Sequence, residues 1–300
     1  MFEDFKNAFS RYNNGHVQLI IINVVVFLVL AILMVVFTFV SHEATFGWIW
    51  SQLSIPPTFS VFITKPWTIL TYSFLHSYST IFHIVFNMLF LYWFGRLFVE
   101  YLGSDKLIAV YILGALAGGV AYLLVYNTVP YFIQNLPSGM VGASAAVYAV
   151  VVATAVLIPD YTLYLIFLGP VRIKYIAAFY IVLSFIGSVG DNAGGNIAHL
   201  GGALMGIVYM KQLQSGVNWG SWITVTIDWL KDLFKPRPKV KVSYRKEQTS
   251  QSSKSSSTSN KKNSSISQAE LDAILDKISD GGYESLTKEE KEKLFNASKK

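Results

Sequence analysis

Six long apolar stretches, at roughly residues 18–40, 79–99, 107–127, 142–159, 171–189 and 195–212, dominate the first two thirds of the chain and constrain its fold more than any other feature. A helix needs about 20 consecutive apolar residues to cross the hydrocarbon core at a rise of about 1.5 Å per residue. In lipid every backbone N–H and C=O must be satisfied internally, which a helix does by itself. The pattern therefore predicts an all-α membrane protein with a six-transmembrane-helix bundle. Composition agrees, since 53% of the 300 residues are hydrophobic and 14% charged, too few for a soluble domain that must coat itself in charge. No small-residue cleavage site follows the first run, so it is expected to be a retained span rather than a signal peptide.

Charge orients the spans. Lys6 and Arg11 precede the first, Arg96 and Lys106 lie between the second and third, Arg172 and Lys174 precede the fifth, and Lys211 ends the sixth. The alternate connections, 41–78, 128–141 and 190–194, hold only Lys65. The positive-inside rule then puts both termini in the cytoplasm. The net charge of +6 gathers at span ends and beyond Lys235, a distribution that orients a membrane protein and does not suggest a nucleic-acid partner. With no cysteine in the chain, disulfides, thiol nucleophiles and thiolate metal sites are excluded. No metal or cofactor is expected.

Outside the spans the domain organisation reads as follows. Residues 1–17, with Phe2, Phe5, Phe9 and Tyr12 at helical spacing, form an interfacial segment, and 18–212 is the six-span core. Residues 213–235, with Trp219, Trp222, Ile223, Ile227, Leu230 and Phe234 on one stripe, form an interfacial amphipathic helix. The aromatic connection 41–78, broken at Pro56-Pro57, is expected to lie against the outer leaflet. Residues 236–266, rich in Ser and Lys, form a flexible linker. In 267–300, Ser267 with Glu270 and Thr287 with Glu290 make two capping boxes ahead of apolar stripes, and Gly281-Gly282 makes a stop. The expectation is a small helical hairpin that needs a partner, here an unidentified cytoplasmic one.

Polar side chains inside spans cost free energy unless something satisfies them, so they mark candidate chemistry. His83 and Asn87 are four apart on one face of the second span; Ser144 opens the fourth within Gly142-Ala143-Ser144-Ala145; His199 sits in the sixth. All three spans run inward from the outer face, and each residue falls in the first turns, on the order of 5–12 Å deep. Ala198, Gly202 and Gly206, spaced by four, give the sixth helix a smooth stripe for close approach by another backbone. If the fourth span is that partner, His199 comes within reach of Ser144, about 3 Å away as general-base activation needs. His83, Asn87 and the Ser144 N–H then face a developing oxyanion. Each feature alone is compatible with helix capping or packing; their coincidence at one depth is not readily explained that way.

Together these motifs resemble the rhomboid family of intramembrane serine proteases over about residues 20–212. His83-Ile-Val-Phe-Asn87 is similar to the family's HxxxN, Gly142-Ala143-Ser144-Ala145 to its GxSx, and Ala198-His199 with Gly202 and Gly206 to its AHxxGxxxG. The resemblance implies a rhomboid-like bundle in which Ser144 is nucleophile, His199 base and later acid, and His83 and Asn87 oxyanion donors. It further implies that Tyr148 is the tyrosine against which the histidine packs. Implied substrates are single-span or other transmembrane proteins, cleaved near the outer face after a small residue, with the bilayer as the other partner. Two positions depart from the family: Ala145 replaces the usual glycine and puts a methyl near the site, and Thr68 after Trp67 replaces an arginine. The base is expected to lack a third residue, with Asp191 a solvated turn residue. Phe86 is expected on the entry route, His16 and His42 at the interface, and His76 as a tie for the outer connection.

Two other classes remain. A catalytically inactive rhomboid-like protein would bind transmembrane helices for trafficking or quality control, but its expected mark, loss of the serine or histidine, is missing. A transporter would carry paired repeats or charged groups near the midplane. A compact core with no transit peptide points to a bacterial cytoplasmic membrane.

Overall fold

The computed structural model describes residues 13–78, 80–165, 169–234 and 268–297. The expected linker 236–266, the first twelve residues of the N-terminal segment and the Ser267 cap lie outside the described residues. The chain divides into two compact units, Met1–Arg237 and Pro238–Lys300.

Among the described residues of the larger unit the first helix is α1 (Gly15–Phe39). The connection 41–78 follows as three short helices, α2 (Glu43–Leu53), α3 (Phe59–Phe62) and α4 (Thr68–Thr71), and a 3-10 turn at Tyr72–Phe74. Then come α5 (Phe82–Leu102), α6 (Ser104–Thr128), α7 (Pro130–Gln134), α8 (Ser144–Leu157), the hairpin β1 (Thr162–Leu165) and β2 (Gly169–Arg172), α9 (Ile173–Ile186), α10 (Ala193–Gln214) and α11 (Ser221–Phe234). Three of these, α1, α5 and α6, are long and apolar enough to cross a membrane. The apolar runs at 142–159 and 171–189 form shorter helices of 14 residues each, about 21 Å long at 1.5 Å per residue and so less than the hydrocarbon thickness.

The antiparallel hairpin was not anticipated. It pairs Thr162 with Arg172 and Leu165 with Gly169, filling the connection before what reads in sequence as the fifth span and overlapping that span only at Val171 and Arg172. Its base is closed by Asp160, whose carboxylate accepts from Lys174 at 2.6 Å and from Arg172 at 3.1 Å. Those two cations hold the exposed Asp160 carboxyl below its usual range, Lys174 contributing most. Among the described residues the fold is thus a helical bundle carrying one small hairpin.

The core is the meeting of α6, α8 and α10. Helix α8 is apolar all round and buried along most of its length, from Ala145 to Ala155 with only Tyr148 partly accessible, as befits the central helix of a bundle. Glycines let its neighbours come close. A methyl at Gly202 would strike the Ala145 carbonyl oxygen, and one at Gly206 would lie 2.5 Å from that of Ala149. On the other side of α10, a methyl at Gly201 would lie 2.8 Å from the Ala117 carbonyl of α6. Helices α1 and α9 sit outside this core and expose Leu28, Val29 and Ile32, and Phe179, Val182 and Phe185, respectively. An apolar surface of this extent is stable against lipid, not water.

The expected interfacial helix over 213–235 divides in two: α10 runs to Gln214, Gly216 breaks it at φ +88°, and α11 begins at Ser221. One side of α11 packs through Ile223, while Trp222, Val225 and Trp229 are exposed. In the smaller unit α12 (Gln268–Gly281) and α13 (Lys288–Ala297) flank a 3-10 turn. There the Thr287 N–H donates to Glu290 at 2.8 Å, and the Glu290 N–H to the Thr287 hydroxyl at 3.3 Å.

Candidate active site

Ser144 is the first residue of α8, delivered there by a backbone turn that only glycine adopts easily: Gly142 has φ +141° and Gly139 φ +146°. The connection 41–78 holds this turn. Ile55 and Met140 exchange backbone hydrogen bonds of 2.9 and 3.1 Å, and the Gly142 N–H donates to the Tyr72 carbonyl at 2.9 Å. Tyr72 is itself anchored, its hydroxyl donating to the Ala115 carbonyl of α6 at 2.7 Å. A segment expected only to lie on the leaflet therefore sets the approach to the serine.

His199, seven residues into α10, meets that serine: Nε2 lies 2.7 Å from the Ser144 hydroxyl oxygen. The close crossing at Gly202 brings the two helices near enough for this contact. Tyr148, one turn beyond Ser144, stacks on the imidazole with centroids 4.3 Å apart and planes at 13°. The other ring nitrogen, Nδ1, lies 3.1 Å from the hydroxyl of Ser184 on α9, which also donates to the Tyr148 hydroxyl at 2.9 Å. The histidine thus has a third partner, contrary to the expected bare pair, and it is a serine rather than Asp191.

Ser184 was missed because one serine among Ile181, Val182, Leu183, Phe185 and Ile186 reads as a lone helix polar residue. The depth argument that found the other four applies to it as well, since the orientation expected from the charges would put it near the outer end of the fifth apolar run.

His83 and Asn87 lie across the cavity. The His83 ring abuts Gly142, where a methyl would sit 3.0 Å from Cε1 and 3.1 Å from Nε2. Asn87 donates to the His83 carbonyl at 2.9 Å, which leaves its second amide hydrogen for another acceptor. Together with Ser144, His199 and Tyr148 they line a cavity of about 440 Å³ whose remaining wall is mostly apolar, including Phe82, Phe86, Phe90, Val147 and Val151, with Thr80 and Asn192 as polar exceptions. Phe86 is on this wall and 54% exposed, at the outer surface of α5.

Of the two departures from the family pattern, Ala145 resolves differently from expectation. Ala145 is buried and its methyl points at Gly118 of α6, so it packs helices together and is not among the residues lining the cavity. Thr68 is fully buried and caps its own turn through the Lys65 carbonyl at 2.7 Å. The loop is tied instead by Lys65 to the Ser51 carbonyl, Trp67 to that of Gln52 and Thr71 to that of Leu53, each at 2.7 Å. His76 is buried edge-on against His83, with centroids 5.4 Å apart, and so braces that ring. His16 is also buried, packed beneath Gly95 and beside Tyr92, whereas His42 is exposed.

Residues 64–214 match the family described as Rhomboid domain, and residues 259–300 match a Family of unknown function (DUF6576). Among curated proteins, the chain is 32% identical over 162 residues to RHOMBOID-like protein 12, mitochondrial, of Arabidopsis thaliana, covering 50% of this chain and 47% of that one. It is 26% identical over 163 residues to Rhomboid-like protein 16, chloroplastic, of the same plant, covering 50% and 49%. It is 32% identical over 143 residues to Presenilin-associated rhomboid-like protein, mitochondrial, of Rattus norvegicus, covering 45% and 35%. The chain therefore spans about half the length, or less, of these relatives, whose organelle names lend no support to the expected bacterial membrane.

Proposed function

The chain belongs to the rhomboid family, and on that premise we propose that it is an intramembrane serine endopeptidase that cleaves transmembrane segments of membrane proteins near the outer face. The observation that carries the reading is the 2.7 Å contact between His199 Nε2 and the Ser144 hydroxyl, at the hydrogen-bond length a general base needs. In this reading Ser144 Oγ attacks the scissile carbonyl while its proton passes to Nε2. The tetrahedral oxyanion is met by the Ser144 N–H at the positive end of α8, by His83 and by the second amide hydrogen of Asn87. Collapse expels the amine, which takes the proton from His199, and leaves an acyl-enzyme. A water, deprotonated by the same imidazole, then releases the carboxylate and regenerates the serine.

The substrate helix unwinds locally to expose its carbonyl, with a small residue just before the scissile bond, and the apolar wall around Phe86 receives its side chains. All six helices, α1, α5, α6, α8, α9 and α10, cross the bilayer in this reading, the shorter ones completed by their flanking residues. Both chain ends then lie on the Lys- and Arg-rich cytoplasmic side.

The test is incubation of purified protein, in detergent or liposomes, with a panel of single-span substrates, beside Ser144→Ala and His199→Ala. Cleavage by the parent and by neither variant supports the reading. Undiminished cleavage by Ser144→Ala refutes it, and substrate binding without cleavage by the parent points to a helix-binding protein instead.

A further inference from the structure

Ser184 is buried to 1% exposure on a helix that otherwise buries only Ile173 and Ala177. A serine inside a membrane helix ordinarily returns its hydroxyl hydrogen to the carbonyl four residues back, as Thr154 does to Val150 at 2.7 Å. Ser184 instead reaches across to α8 and α10, with Tyr148 Oη at 2.9 Å and His199 Nδ1 at 3.1 Å. Tyr148 in turn donates to the Tyr180 carbonyl, at 3.4 Å.

One direction of donation joins all of these contacts. The Tyr180 carbonyl can only accept, so when the tyrosine hydroxyl donates to it across 3.4 Å, that hydroxyl accepts from Ser184. The single Ser184 hydrogen is thereby used, and toward His199 the serine can only accept. In this arrangement Nδ1 carries the proton, and Nε2, the nitrogen facing Ser144, is left as the acceptor.

We propose that Ser184 is a positioning residue for His199, holding the imidazole in the Nδ1–H tautomer that leaves Nε2 free to take the Ser144 proton. The inference rests on the reading of Ser144 and His199 as nucleophile and base. A hydroxyl in this place orients the ring as a carboxylate does in a triad, without introducing a buried charge.

Threonine and valine have nearly the same shape and differ in the hydroxyl, so Ser184→Thr and Ser184→Val separate hydrogen bonding from packing. Each is purified in detergent, and two quantities are read: kcat and KM on a cleaved single-span substrate, and the 15N shifts of the His199 ring. Ser184→Thr is expected to keep kcat within about twofold of the parent. Ser184→Val is expected to lower kcat about 3- to 10-fold at unchanged KM, the range that one net hydrogen bond supports, with the Nδ1–H signal giving way to a tautomer mixture. Equal kcat and equal ring shifts in the two variants overturn the proposal. If the extra methyl unfolds both, Ser184→Ala fits without added volume and must show the same shift change. A parent that cleaves nothing sinks the protease reading, and the ring shifts still decide whether Ser184 sets the tautomer.

Discussion

The imidazole of His199 lies flat on the ring of Tyr148, with centroids 4.3 Å apart and planes at 13°. Because Tyr148 follows Ser144 by one turn of α8, the helix that presents the serine also carries the surface on which its partner rests. Replacing Tyr148 by Phe keeps that surface and removes the hydroxyl that receives Ser184, so kcat should fall about 3- to 10-fold. Replacing it by Ala frees the ring to tilt, and a loss of about 100-fold or more is expected. Similar rates for the two variants, measured on one substrate at saturation, would contradict this division of labour.

Asn87 and His83 should act on the transition state rather than on binding. Removing one donor from an oxyanion site typically costs about 10²- to 10³-fold in kcat. Asn87→Ala and His83→Ala are each expected to fall in or just below that range, with KM changed far less. A rise in KM at constant kcat in steady-state assays would reassign them to substrate binding.

The α8–α10 crossing tolerates no side chain at Gly202, where a methyl would strike the Ala145 carbonyl oxygen. Gly202→Ala should therefore destabilise by about 1–3 kcal/mol, the usual cost of overpacking, and lower the thermal midpoint in detergent. Gly47→Ala is the control, since nothing lies within 4 Å of a methyl there. An equal midpoint for the two variants would show that the crossing is looser than the geometry requires.

Asn127 fastens the outer connection to α6, donating to the Pro57 carbonyl at 2.8 Å and accepting from the Phe59 N–H at 3.0 Å. Asn127→Ala leaves both partners unpaired, a cost of about 1–3 kcal/mol each where water does not replace it. The expected readout is faster amide hydrogen exchange over residues 55–62, with residues 144–157 unchanged.

In the smaller unit Glu290 is held down to a pKa of about 2 by the Lys277 ammonium and by the N–H and hydroxyl of Thr287. A depressed folded-state value means that the contribution is fully present above the unfolded carboxyl pKa of about 4.3. It is lost as pH falls toward 2. Amide protection across α12 and α13 in the full chain should decline over that window, and Glu290→Gln should flatten the decline. Unaltered protection down to pH 2 would mean that this contact does not support the pair.

Much of the bundle was legible in the chain. The apolar runs mark the positions of α1, α5, α6, α8, α9 and α10, and the four-residue spacings of His83 with Asn87 and of Gly202 with Gly206 put each pair on one helical face. The hairpin at Thr162–Arg172 was not legible, because it fills the short connection between the fourth and fifth apolar runs, and two strands of four residues there carry too little alternation to stand out from a loop. The direction of the Ala145 methyl was equally hidden, since it depends on how α8 is rotated against Gly118.

The sequence by itself determined the solvent, the helical class and the polar residues that stand out within apolar runs, because transfer free energy and helical periodicity are properties of each residue and its near neighbours along the chain. Only the tertiary structure decided that His199 meets Ser144 with one nitrogen and Ser184 with the other, and that Ile55 and Tyr72 steer the turn before α8. Hydrogen bonds between helices depend on crossing angle and rotation to within a few tenths of an ångström. Those quantities are set by how whole surfaces pack, and no local stretch of sequence encodes them.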